Sequence, residues 1–182
     1  MTSTTRTASV AIGRGALQQL RMTLERETGT QAPALLREIG FAAGADCNDR
    51  YAAWLKDRHQ VEGPHALDAD FLSETMDGFF QETGWGHLAV GSAGAGVLAV
   101  DSPDWAEAEP RGAEYPACHL SSGMLADFFT RLGATPAAVM EVECRSRGDA
   151  RCRFLVASPE LLTWIYERMV QGLEYQQVLG ER

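Results

Sequence analysis

Apolar residues recur at helical spacing along residues 15 to 28, where Leu17, Leu20 and Leu24 fall on one side and Gly29 stands ready to close the helix. A second helix is expected over 31 to 58. Its small residues Gly40, Ala43, Gly44 and Ala45 mark a helix pressed closely against a neighbour. A third is expected over 68 to 82, with Asp68 and Asp70 favouring its start and Phe71, Leu72, Met76, Phe79 and Phe80 forming its buried stripe. The period then changes. "WGHLAVGSAGAGVLAVDSPDW" reads as two short strands around a Gly/Ser/Ala turn, a hairpin. "CHLSSGMLADFFTRLG" returns to helical spacing, with Leu125, Phe128, Phe129 and Leu132 on one side and Gly133 as the stop. "AAVMEVECR" and "CRFLVA" form a second hairpin around "SRGDA", and "SPELLTWIYERMVQGLEY" is a final helix with Ser158 as cap and Pro159 at its first position. This order predicts an α+β fold, an antiparallel sheet of two hairpins backed by helices.

No repeat or linker divides the chain, so residues 1–182 read as one domain, with 1–12 a frayed lead-in, 15–83 a helical half and 85–182 a sheet half. The hydrophobic share of 45% and the charged share of 23% are those of a soluble globular chain, and no segment approaches the roughly eighteen apolar residues of a membrane span. Sixteen basic against twenty-five acidic residues give a formal charge of −9, a field that repels nucleic acid and anionic membranes alike. Without a secretory signal, a cytoplasmic location is expected. The four cysteines there would stay reduced, which points to metal, catalysis or core packing.

Three of these cysteines converge on the second half: Cys118 begins a helix, and Cys144 and Cys152 flank the second hairpin's turn. Thiolates suit zinc, which normally takes four ligands in a structural site, and Glu141, Glu143 and His119 are the candidates for the fourth. Strict strand alternation puts Glu141 and Glu143 on one face and Cys144 on the other, so Glu141 can join Cys144 only if the strand bulges or turns at its end. Buried cysteines packed in the core are the equal alternative on spacing alone. Cys47, among the alanines of the second helix, reads as core or dimer packing, and His119 either as a support for a ligand thiolate or as a water-facing residue.

From Cys118 to Val156 the succession of Cys118, Gly123, "EVEC", "RGDARC" and a following phenylalanine resembles the 4-vinyl reductase domain family. The resemblance is strong over about forty residues and looser elsewhere, where the helical first half and Ser102 also suit it. It implies the ligand-binding fold of the nitric-oxide-signalling and Golgi-transport superfamily, usually a homodimer, with a pocket between sheet and helices. In members that sense phenols and toluenes, zinc is held by three cysteines and a glutamate, and the family spacing falls on Cys118, Glu141, Cys144 and Cys152. Such a zinc would be structural, since four protein ligands leave no open position.

The resemblance implies a non-enzymatic sensor or carrier of a small hydrophobic or aromatic molecule, read by a partner protein. Phe79, Phe80, Trp85, His87, Trp105 and Phe128 are the candidate pocket residues. A histidine and a tryptophan hold the hydroxyl in the phenol sensors, and His87 and Trp105 are the candidates for those roles. One alternative is an accessory or reductase-associated factor binding a chlorophyll-precursor tetrapyrrole, although no residue constellation here supplies a hydride or a site for its cofactor. The other is a ligand-free dimeric assembly module. Dimerisation is expected through the N-terminal helices, by way of the stripe at Gly40 and Gly44.

Overall fold

The computed structural model describes residues 11–63, 68–94, 96–110 and 112–181. Most of the expected frayed lead-in therefore lies outside the described residues. Helices α1 (Arg14–Thr28), α2 (Ala32–His59) and α3 (Ala69–Glu82) precede strands β1 (Ala89–Gly94) and β2 (Val97–Ser102). Then come α4 (His119–Gly133), β3 (Ala138–Glu143), β4 (Cys152–Ala157), α5 (Pro159–Val170) and α6 (Tyr175–Gly180). The strands form one antiparallel sheet in the order β1-β2-β4-β3, so the two hairpins join through β2 and β4.

The sheet is covered on both faces. Val100, Phe154 and Val156 point inward to Tyr51, Phe79, Phe80, Phe128 and the other apolar residues of α2, α3 and α4. Val97, Leu155 and Ala157 point outward to Leu162, Ile165, Tyr175 and Val178 of α5 and α6. The central strands β2 and β4 are thus apolar on both sides, which masks the simple alternation of a half-exposed sheet.

Three local expectations change. The expected last helix ends early, at Val170, because Gly172 adopts a positive φ of 97°, and Glu174 with Gln177 builds a capping box that starts α6, a further short helix that was not expected. Helix α4 includes Gly133, and Ala134 takes the left-handed position that ends it. The small-residue stripe of α2 is used inside the chain. A Cβ on Gly40 would overlap the Leu120 carbonyl, and a Cβ on Gly123 would overlap that of Arg37. The α2 and α4 backbones therefore touch at glycines supplied reciprocally by each helix, and Gly40 and Gly44 form no external surface. On α1 the buried residue is Arg21, while Leu20 is 40% exposed.

Candidate metal centre and the aromatic core

Cys118 occupies the N-cap position of α4, but its side chain does not cap the helix. Glu107 does that work from the preceding loop, accepting the amides of Leu120 (3.1 Å) and Ser121 (2.7 Å) as well as the Ser121 hydroxyl. A carboxylate at a helix N-terminus satisfies orphan amides and faces the positive end of the dipole. The Cys118 amide donates to Glu141 Oε2 at 2.8 Å, which ties the start of α4 to β3.

The strand bulges where the ligand set requires it. Glu141 pairs with Phe154 and Glu143 with Arg153, so Val142 is the extra residue and the register shifts by one. The shift separates the two glutamates, which strict alternation would have kept on one face. Glu141 turns inward to the cysteines. Glu143 turns outward, where it accepts from Arg151 Nε at 2.8 Å and from the Tyr175 hydroxyl. The turn between the other two cysteines is held by Asp149, whose carboxylate accepts the Cys144 amide at 2.6 Å, and by Gly148 at a φ of 106°.

These elements bring Cys118 Sγ within 3.8 Å of Cys144 Sγ and 3.9 Å of Cys152 Sγ, and the three sulfurs and a Glu141 carboxylate oxygen all lie within 4.8 Å of one another. All three cysteines are fully buried and free of disulfides. A tetrahedron of sulfurs about 2.3 Å from a central ion has edges of about 3.8 Å, so the spacing fits a bound ion. Glu141 Oε1 is buried without a hydrogen-bond partner, which an ion would supply. Without an ion, contacts from the Cys118 and Cys152 thiols hold the Cys144 thiol well below its usual range, and hydrogen bonding to Cys144 pushes Cys118 up. Burial, with the charge on Cys144, pushes Glu141 up. The cluster therefore retains protons that a cation would displace.

His119 stays outside the cluster. Its Nδ1 lies 3.5 Å from Arg37 Nη1, and burial together with Arg37 lowers its pKa to about 4. Cys47 packs against the apolar core.

Five of the six candidate pocket residues meet in one aromatic assembly. Trp105 is packed against Trp85 (centroids 5.3 Å apart), Phe80 (5.7 Å) and Phe154 (5.9 Å), and Phe80 also touches Phe79 (5.2 Å) and Phe128 (5.7 Å). The Trp105 indole donates to Ser121 Oγ at 2.7 Å, so its polar handle is engaged by a hydroxyl that itself donates to Glu107. His87 lies apart. Its ring is 57% exposed beside Asp77, in a surface groove of about 370 Å³ shared with Asp101 and Arg151.

Sequence reasoning missed Glu107, Ser121, and the buried pair of Tyr51 and Thr75, whose hydroxyls lie 2.7 Å apart. Glu107 sits in an acidic, proline-bearing loop that reads as solvated, and nothing local distinguishes it from Glu109 or Glu114.

The family model of the 4-vinyl reductase domain matches residues 104–158. A protein of Methanocaldococcus jannaschii is 33% identical over 78 residues, and the match spans 43% of this chain and 42% of that protein. Among solved structures, the phenol-responsive sensory domain of the transcription activator PoxR, determined with phenol, superposes with a TM-score of 0.63 at 18% identity, covering 85% of this chain and 79% of that one. A vinyl-4-reductase family protein from Methanocaldococcus jannaschii gives 0.51 at 18% identity, over 81% and 82% of the two chains. A trafficking protein particle complex subunit 3 from Naegleria fowleri, covalently bound to palmitic acid, gives 0.55 at 11% identity, over 80% and 96%. The fold is common to all three, and the segment matching the 4-vinyl reductase domain is the one that carries every donor of the Cys118, Glu141, Cys144 and Cys152 cluster.

Proposed function

We propose that this chain is a small-molecule sensory module whose ligand-binding domain is braced by one zinc ion, held through Cys118, Glu141, Cys144 and Cys152. The observation that carries the reading is the convergence of three buried thiols and one unpartnered carboxylate oxygen within 4.8 Å, from α4, β3 and β4. Three thiolates and a carboxylate are a donor set suited to zinc, and four protein donors leave no position for a reacting water. The ion would lock the start of α4 to the second hairpin. It would thereby fix the helix that presents Phe128 and Phe129 to the sheet.

The ligand class follows from the apolar character of the interface between sheet and helices, and agrees with the phenol-responsive domain that shares the fold. Phe79, Phe80, Trp85, Trp105 and Phe128 form its aromatic wall, with His87 just ahead of β1. The module pairs with a second copy through α1 and α2, where Leu20, Met22, Ile39 and Phe41 are 40 to 50% exposed. One observation favours a ligand-free assembly module instead: the wall rings already touch one another.

Native mass spectrometry of protein purified without chelator tests the reading together with calorimetry on phenol and toluene. One zinc per chain, a dimer mass and binding of an aromatic with negative heat-capacity change are expected. Protein with well under one equivalent of zinc, or without heat for every aromatic, would overturn the corresponding half of the reading.

A further inference from the structure

Helix α1 is seated on the rest of the chain largely by polar contacts. Its apolar side chains are spread around it rather than buried, with Leu17 and Leu24 half-buried and Leu20 and Met22 each 40% exposed. The buried residue of α1 is a cation, Arg21, at 5% exposed. A surface helix is ordinarily held by an apolar stripe, so α1 is held in another way.

Two arginines make the attachment, and both reach segments that carry a tryptophan. Arg14 Nη2 donates to the Gly84 carbonyl at 3.3 Å, next to Trp85. Arg21 Nη1 donates to the Glu107 carbonyl at 3.5 Å, just past Trp105, and its Nη2 lies 4.0 Å from Glu109 Oε2. The two segments are joined to each other, since the Ala106 amide donates to the Trp85 carbonyl at 2.7 Å and the two indoles stack 5.3 Å apart. The Trp105 indole is tied a second time to the residue that Arg21 holds, through the Ser121 hydroxyl and the Glu107 carboxylate. A shift of either indole therefore moves the carbonyls to which α1 is fastened.

We infer that α1 is a movable arm, latched by Arg14 and Arg21 to the tryptophan pair, so that a change at Trp105 is transmitted to the helix that exposes Leu20 and Met22. The inference deepens the sensory reading above and rests on it for the stimulus. The latch is thinly made. A guanidinium offers five donors, yet Arg21 Nε is buried without a hydrogen-bond partner, with Glu25 Oε1 3.6 Å away, and the contacts at 3.5 and 4.0 Å lie at or beyond the long limit of direct bonding. A buried cation satisfied in this way contributes little net stability while docked, because its desolvation offsets most of what its contacts supply. The docked and released arm therefore lie close in free energy, which gives the chain the two-state element that coupling between distant groups requires.

Hydrogen exchange read by mass spectrometry, on the full chain purified without chelator, reports the local opening of α1. In Arg21→Ala the amides of residues 17–28 should exchange about tenfold faster, while those of α4 and β4 keep their rates. Trp105→Phe should speed α1 exchange about threefold when Arg21 is present and leave it unchanged in the Arg21→Ala background, the non-additivity that marks a relay rather than two separate losses. Leu98→Ala, a truncation at the far end of the sheet, should leave α1 exchange as it is. Equal α1 exchange in the wild type and Arg21→Ala, or a Trp105→Phe effect of the same size with and without Arg21, overturns the inference. Should Arg21→Ala not fold, Arg21→Lys, which keeps the charge but loses the forked reach to both loop groups, decides in its place. Phenol separates the arm from the reading it rests on. A phenol-induced change in α1 exchange that Arg21→Ala abolishes, with the heat of phenol binding retained, supports the arm. Phenol heat without any change in α1 overturns the arm and leaves the sensory reading standing. No heat from any aromatic overturns the sensory reading, and the Trp105→Phe and Arg21→Ala pair still decides the latch.

Discussion

At the Ser102 and Cys152 end of the sheet the inner face is sealed by polar chemistry, whereas at the Leu98 and Val156 end it is bounded by apolar side chains and open on one side. The sealed end gathers a buried carboxylate on helix amides, an indole on a hydroxyl, and four converging donors. Such interactions are directional, and each fails sharply when one partner is removed. The open end has only contacts that scale with area, which tolerate rearrangement. The chain is thus fixed where β3, β4 and α4 meet and is more adaptable where α4 ends.

The comparison can be broken most directly at the cluster. Cys152→Ser should lose the metal and several kcal/mol of stability, because binding energy in such sites is folding energy; chemical denaturation with and without added zinc measures it, and Cys47→Ser should leave the metal in place. Next in size is Gly123→Val at the crossing of α2 and α4, where the added side chain meets the Arg37 backbone, which cannot step aside. A cost of about 3 kcal/mol is expected in the same assay, and a neutral result would mean the crossing is looser than the geometry says. Trp105→Phe keeps the apolar contacts but leaves Ser121 without its indole donor, at about 1 to 2 kcal/mol.

A subtler effect concerns Glu107. Burial pushes its carboxyl above the ordinary value of 4.5, against the pull of the Ser121 and Leu120 donors and of Arg21. A raised folded-state value means that the native state binds more protons than the unfolded chain. The stability linked to this proton is fully present below about pH 4.5 and is lost as pH rises through the raised value. The wild type minus Glu107→Gln stability difference should therefore fall as pH rises from about 4 to 8, with both proteins zinc-loaded; a difference that grows with pH would reverse the sign argued here. The smallest change is expected at the open end. Leu98→Ala, on a side chain already 38% exposed, should alter stability by roughly 0.5 to 1 kcal/mol, and a loss comparable to a buried core truncation would show that this end is closed in solution.

Much of this architecture was legible in the chain. Periodicity placed helices α1 to α5 and strands β1 to β4, since the hydrophobic spacing of a helix or a strand is a local property. The Gly172 break was missed because a glycine inside an apolar run is tolerated or structural depending on its φ, which the spacing does not encode. The resemblance named Cys118, Glu141, Cys144 and Cys152 together, and the structure brings these four side chains within 4.8 Å of one another. The choice of Glu141 over Glu143 came from the family spacing and required the strand to bulge, and the strand does bulge at Val142.

The sequence by itself determined the order of elements, the α+β class, and the spacing that allows three cysteines to meet. Each of these follows from residues near one another in the chain or from totals over it. Tertiary structure alone decided which way Glu141 and Glu143 point, that Gly40 and Gly123 serve a contact inside the chain, that Glu107 is buried on the α4 amides, and that the inner face opens at Leu98. The reason is common to all four. Each depends on what a distant segment places opposite the residue, and a small or charged residue looks the same in the sequence whether its neighbour is water, a backbone or a helix end.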